Sequence, residues 1–133
     1  MKIRLLIALL FITITSAFAQ EGCAKFRTGT FKVTDPKSKQ VCIITRSGDT
    51  QTEKMEESDE TYDFDVKWLD DCTYTVTPTP GSVAKNKDLS KAGTMTVTMS
   101  KVKDSSYVQT VKVANYPTFK RTDTVYFVKE KEE

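Results

Sequence analysis

The cysteines and one acidic pair are the residues whose types allow chemistry in this chain. The sequence contains three cysteines, Cys23, Cys42 and Cys72, and Asp70 and Asp71 directly precede the last of them. A thiolate can act as a nucleophile, and paired carboxylates can bind Ca²⁺ or act in general acid–base catalysis. The chain has no histidine. Serine–histidine and cysteine–histidine catalysis is therefore excluded within it, and the commonest transition-metal ligand is missing.

The acidic pair fits a turn better than a chemical site. Leu69-Asp70-Asp71 interrupts an alternating strand pattern, and aspartate is favoured in turns because its side chain binds nearby backbone N–H groups. The flanks lack the D-x-D-x-D-G spacing of a calcium loop, and the neighbouring sequence offers no residue to act as a partner base. We predict the corner of a β-hairpin, with a metal or acid–base site as the alternative. We assign no catalytic residue, metal site or cofactor.

The N-terminus, MKIRLLIALLFITITSAFAQ, has the features of a secretory signal peptide. Lys2 and Arg4 give a positive start, an apolar run covers residues 5–12, and a small-x-small cleavage motif ends at Ala19. The apolar run is too short to be assigned as a membrane span. We predict that residues 1–19 are removed.

Export places the protein in the periplasm or outside the cell. A lipid anchor on Cys23 is the alternative, but Gln20 stands where the usual lipid-attachment signal has an apolar residue. We therefore favour a soluble exported protein, and we expect no membrane span after cleavage.

The charge balance changes once the leader is removed. The leader takes two of the 20 basic residues and none of the 18 acidic ones, which leaves 18 of each. A neutral protein has little general attraction to nucleic acid or an anionic membrane, so we expect no nucleic-acid partner. Residues 20–133 are enough for a single domain with one core, followed by a charged tail at the C-terminus.

An oxidising compartment favours a disulfide, and three cysteines leave one unpaired. Cys42 lies in the apolar run Val41–Ile44, where a free cysteine is readily buried. Cys23 and Cys72 lie at a chain start and at a turn, where a crosslink is useful. We predict a Cys23–Cys72 disulfide and a free, buried thiol at Cys42. A nucleophilic thiolate at Cys42 or Cys23 is the alternative, but nothing nearby in the sequence lowers either pKa.

The elements that must position these residues are strands, because apolar residues recur with period two. Residues 62–68 show it most clearly, and residues 50–56 form a polar candidate for an edge strand. Residues 78–93 form a loop with room for one short helical turn. Residues 115–123 form a further turn before a last strand at 124–130.

About eight short strands at roughly 8–12-residue spacing predict an all-β fold. We expect a single antiparallel meander, either a lipocalin-like small barrel or a curved open sheet or sandwich. Trp68, the only tryptophan, should anchor the core. The predicted core residues are Phe31, Tyr62, Phe64, Val66, Trp68, Tyr74, Val76, Met95, Val97, Met99, Val111 and Val113.

Three blocks in order, CAKFRTGTF, IITRSGDTQTE and VKWLDDCTY, resemble a group of short exported proteins of Bacteroidetes, especially flavobacteria. The shared pattern is C-x-x-F-x-T-G-x-F, then I-x-R with Q-x-E, then W-[IL]-[ND]-D-C-x-Y. It covers residues 23–74, and the rest matches only in general character. The group has no assigned biochemical function. The resemblance implies a bacterial source, supports the pairing of Cys23 with Cys72, leaves Cys42 outside the pattern and supplies no catalytic residues.

Some members of that group carry the label DNA topoisomerase IV. This chain argues against that label, because it is short, neutral after processing and predicted to be exported. It also lacks a nucleotide-binding motif and a basic track for DNA.

These observations favour a non-catalytic binding or structural β-module of the bacterial envelope. The alternative is a lipocalin-like carrier of a small hydrophobic ligand, and an enzyme using aspartate or cysteine ranks last. The expected partner is an envelope protein or a small hydrophobic ligand. The residues that would line the carrier's cavity are Phe64, Trp68, Met95, Val97 and Met99.

Overall fold

The period-two pattern forms eight β-strands in the computed structural model, which describes residues 22–129. The predicted leader, its cleavage site and the charged tail from residue 130 lie outside the described residues. The strands are β1 Thr28–Thr34, β2 Val41–Ser47, β3 Thr50–Met55, β4 Tyr62–Trp68, β5 Thr73–Pro78, β6 Met95–Ser100, β7 Ser106–Val113 and β8 Tyr116–Phe127. A 3₁₀ turn, Ala24–Phe26, precedes β1.

Each strand pairs antiparallel with the next, and β8 returns to β1, so the sheet closes into a barrel. The predicted all-β antiparallel meander is confirmed, and the closed barrel is the arrangement adopted. The closing seam is short, with Phe31 opposite Phe127 and Lys32 opposite Tyr126. Gly29 makes this seam possible, because a Cβ atom there would lie 2.6 Å from the ring of Phe127.

The connections differ between the two ends of the barrel. At one end, β2 and β3 are joined by Gly48-Asp49 alone, and Gly48 has a φ of 61°, as a two-residue hairpin with glycine first requires. The long connections 35–40, 56–61 and 79–94 all lie at the other end, which we call the mouth.

The predicted helical turn in the β5–β6 connection is confirmed by helix α1, Pro80–Lys85, and a 3₁₀ turn, Lys87–Ser90. Thr79 caps α1 by accepting a hydrogen bond from the backbone N–H of Ser82. The buried hydroxyl of Ser82 donates to the carbonyl of Asp63 and accepts from its N–H, which fixes the helix against β4.

Two sequence expectations about strands were wrong. β3 is not an edge, because closure of the barrel leaves β3 paired on both sides. The chain turns only at Ala114-Asn115, and β8 begins at Tyr116 instead of after a turn at 115–123. The first part of β8 is exposed along its length, so pairing with β7, and not burial, holds it as a strand. Such a segment shows no apolar period.

The barrel interior contains the predicted core, although four members are only partly buried: Tyr62, Trp68, Met95 and Val111. Trp68 is not the central anchor, because it lies near the barrel end, where its indole N–H donates to the carbonyl of Gly48 at 2.9 Å. The remaining predicted members are buried: Phe31, Phe64, Val66, Tyr74, Val76, Val97, Met99 and Val113. Further buried side chains that the prediction omitted include Phe26, Val33, Ile44, Tyr107 and Val125.

Candidate functional site

The acidic pair forms a hairpin corner, as predicted. Asp70 accepts a hydrogen bond from the backbone N–H of Cys72 at 2.8 Å, and the N–H of Leu69 donates to the carbonyl of Thr73. Asp71 instead pairs with Arg27 at 3.1 Å. The two carboxylates therefore have different partners. Within residues 22–129, no group of three or more cysteine, aspartate or glutamate side chains is placed to hold a metal ion.

The predicted disulfide is confirmed. Cys23 and Cys72 are bonded, with their Cα atoms 5.2 Å apart, and both are buried. The bond fastens the 3₁₀ turn Ala24–Phe26 to the β4–β5 corner. It also occupies the Cys23 sulfur to which a lipid anchor would be attached.

A buried arginine fills the end of the barrel opposite the mouth, which we call the sealed end. Arg46 is 1% exposed, and its guanidinium lies 4.8 Å from the ring centre of Phe31 and 4.6 Å from that of Tyr74. Its donors reach the carbonyl of Phe26 at 2.8 Å and the hydroxyls of Tyr74 at 2.6 Å and Tyr107 at 3.3 Å. The sealed end is thus held by one cation with several buried acceptors.

A relay of side chains connects this cation to the middle of the barrel. Gln51, opposite Arg46 on β3, accepts from the arginine Nε at 2.9 Å and donates its own amide N–H to Glu53 Oε1 at 2.9 Å. Burial raises the pKa of Glu53, while the bond from Gln51 and the charge of Arg46 oppose that shift. Sequence analysis missed the relay, but the signal was present: Cys42, Ile44 and Arg46 alternate on the inward face of β2.

The mouth contains a cavity of about 520 Å³. Its position corrects the predicted cavity lining, because Phe64, Val97 and Met99 fill the core and only Met95 of the five predicted residues faces the cavity. The apolar lining is Val33, Ile44, Met55, Ala92, Met95, Val111, Val113 and Phe119, and the polar lining is Asp35, Ser38, Gln40, Cys42, Glu53, Gln109, Arg121 and Asp123.

Three charged residues form a cluster at the rim of the mouth. Arg121 donates from Nε and Nη2 to the two oxygens of Asp123, at 2.7 and 3.2 Å, and from Nη2 to Asp35 at 3.3 Å. The backbone N–H groups of Ser38 and Lys37, followed by Arg121, hold the pKa of Asp35 below its usual value. The cluster joins β8 to the β1–β2 connection beyond the short seam.

Cys42 is free and only partly buried, because it packs against the core on one side and lines the cavity on the other. Burial, with a smaller contribution from Glu53, raises the pKa of its thiol to about 12. Cys42 and Glu53 also line a side pocket of about 220 Å³. The last β3–β4 pair is Glu53 with Tyr62, so the wall opens beyond it.

The part of the chain that the structure describes contains no helix long and apolar enough to cross a membrane. Comparison of the chain with known protein families, curated proteins and solved structures gave no match.

Proposed function

We propose that this protein is an exported, non-catalytic binding module of the bacterial envelope that holds a small molecule in the mouth of its barrel. The observation that carries the proposal is the asymmetry of the interior. The sealed end is filled by aromatic rings and Arg46, whereas the mouth keeps a cavity of about 520 Å³.

The size and lining of the cavity support binding. Small-molecule sites commonly measure about 300–1,000 Å³ and combine apolar walls with a few polar groups. Here the apolar wall includes Met55, Met95 and Phe119, and the polar groups include Glu53 and Gln109. A small barrel with no ligand would be expected to fill this space with side chains.

The state of the reactive groups supports a non-catalytic role. With a pKa of about 12, the Cys42 thiol stays protonated near neutral pH and is a poor nucleophile. The carboxylates of Asp123 and Asp35 are engaged by Arg121, and that of Asp71 by Arg27. These contacts hold the groups in ion pairs.

Three observations support export. A signal-like segment stands at the N-terminus, the chain forms a disulfide, and the three sequence blocks resemble exported proteins of Bacteroidetes. Disulfides persist mainly in oxidising compartments.

Binding of the neutral dye Nile red tests the proposal. We expect saturable fluorescence enhancement with one dye per protein, and Val111→Trp should weaken binding at least tenfold by filling the cavity. Lys112→Trp is the matched control, because the neighbouring Lys112 is exposed on the outside of β7. It should bind like the wild type. Absence of wild-type binding, or equal binding by Val111→Trp, would overturn the proposal in favour of a purely structural module.

A further inference from the structure

We infer that the mouth cavity binds an amphipathic amine, whose protonated nitrogen lies against Glu53 and whose apolar body lies against the methionine and aromatic side chains of the mouth. This inference rests on the binding function proposed above and names its ligand class.

Glu53 has unused hydrogen-bonding capacity inside the barrel. Its Oε1 accepts from Gln51, and its Oε2 accepts no hydrogen bond from the residues that the structure describes. The side chain faces both the mouth cavity and the side pocket. A carboxylate held inside a barrel with an unused oxygen is a site for a donor, and a charged donor forms the stronger bond.

Gln109 adds a second group that a ligand can use. Its side chain lines the same cavity and makes no hydrogen bond to a described residue. An amide oxygen accepts from an ammonium group as readily as from an alcohol. An amine with several N–H donors can therefore satisfy both Glu53 and Gln109.

The charges of the cavity favour a cation over an anion. Its lining contains three carboxylates, Asp35, Glu53 and Asp123, and one cation, Arg121. That cation already contacts two of the three carboxylates. A fatty acid or other anion would meet a guanidinium that is already neutralised, and it would be repelled by Glu53.

The counter-charge of Glu53 within the core is Arg46, which is connected to it by hydrogen bonds through Gln51. Burial nevertheless raises the pKa of Glu53, so this remote balance is incomplete. A cation placed directly against the carboxylate would supply the missing stabilisation of its charged form.

The apolar part of the cavity fits the body of such a ligand. Met55 and Met95 are flexible and polarisable, and they adapt to irregular shapes. Phe119, which is 47% exposed, lines the cavity from β8 and offers a ring to an apolar chain.

Displacement of Nile red by three probes of equal chain length, octylamine, octanol and octanoate, tests the inference at pH 7.5. We expect octylamine to bind at least tenfold more tightly than octanoate, with octanol between them. Octanoate binding as tightly as octylamine would overturn the inference and leave the binding function standing. Failure of Nile red and all three probes would overturn the binding function itself.

The variant Glu53→Gln tests whether Glu53 is the residue that binds the amine. It removes the charge and keeps an oxygen that can accept a hydrogen bond from Gln51. We therefore expect the affinity for octylamine to fall at least tenfold, while the affinity for octanol changes less than twofold. Glu56→Gln is the control, because this acid is exposed on the same segment and pairs with Lys32. An equal effect of both variants, or none at Glu53, would overturn the assignment. Should Glu53→Gln fail to fold, the comparison of probes on the wild type still decides the ligand class.

Discussion

The guanidinium of Arg46 donates a hydrogen bond of 2.6 Å to the hydroxyl of Tyr74, and both side chains are almost fully buried. A buried cation is stable only when its donors are satisfied and a counter-charge is near. The Tyr74 and Tyr107 hydroxyls supply acceptors, and Gln51 links the cation to Glu53. The sealed end and the wall of the cavity therefore belong to one polar network.

Replacement of Arg46 should be strongly destabilising. Arg46→Ala removes the cation and leaves the Phe26 carbonyl and the Gln51 amide oxygen without their donor. We expect a loss of about 3–5 kcal/mol in the free energy of unfolding, the usual range for breaking a buried charged network. Urea denaturation followed by circular dichroism measures it.

Lys32→Ala is the control for the loss of a cation. Lys32 is on the neighbouring strand β1, and its ion pair with Glu56 at 3.4 Å is largely exposed. Exposed pairs contribute about 0–1 kcal/mol. A loss below 1 kcal/mol for Arg46→Ala would show that the network does not hold the sealed end.

Removal of the disulfide should destabilise the barrel without changing the cavity. The bond joins residues 49 apart in sequence, and a loop of this size corresponds to about 4 kcal/mol in the chain-entropy model. We expect the double variant Cys23→Ser/Cys72→Ser to lose about 2–5 kcal/mol and to keep its affinity for Nile red at low temperature.

Peptide mapping without reduction checks the pairing directly. It should give one crosslinked peptide containing Cys23 and Cys72, with a single thiol at Cys42. A crosslink to Cys42, or a double variant as stable as the wild type, would contradict the role assigned to this bond.

The Cys42 thiol should react slowly in the folded protein. A rise in its pKa from 9.0 to about 12 lowers the thiolate fraction at pH 8 about a thousandfold. A more basic thiolate is also a stronger nucleophile, and this increases the rate constant of the thiolate about 15- to 30-fold. We therefore expect alkylation by iodoacetamide to be about 30- to 60-fold slower than at an ordinary thiol, as followed by mass spectrometry.

The reference thiol comes from Lys112→Cys in a Cys42→Ser background, because Lys112 is exposed on β7. Equal alkylation rates at the two positions would show that Cys42 is an accessible, reactive thiol.

The sequence was sufficient to predict features that depend on local pattern. Period two in residues 62–68 predicted β4, and the aspartates before Cys72 predicted the corner. The disulfide was predicted from the expected oxidising compartment and from the number of cysteines. Each of these inferences needs only neighbouring residues or composition.

Features that depend on distant partners could not be predicted in this way. Arg46 is buried because Phe26, Tyr74 and Tyr107 surround it, and these residues are 20, 28 and 61 positions away. β3 resembles an edge strand because its inward face carries Gln51, whose partner is that same arginine. Polar residues inside a barrel break the pattern by which sequence analysis recognises an interior.

The stability of the protein should depend on the ionisation of Glu53. Its pKa is raised by burial, so ionisation is less favourable in the folded chain than in the unfolded one. The protonated form therefore contributes stability that is fully present below about pH 4.5 and is lost as pH rises through the folded pKa. The glutamine in Glu53→Gln cannot ionise, so this variant does not lose stability in this way. Relative to this variant, the wild type should become less stable as pH rises from 4 to 8.

Urea denaturation of both proteins at each pH measures this difference, and subtraction removes the contributions of groups that both proteins share, such as Asp35, which also faces the cavity. Cys42, with a pKa of about 12, does not titrate in this window. Glu56→Gln is the control, and its difference from the wild type should stay below about 1 kcal/mol, as expected for the loss of an exposed ion pair. A wild type that gains stability over Glu53→Gln as pH rises would mean that Arg46, acting through Gln51, outweighs burial and depresses the pKa of Glu53.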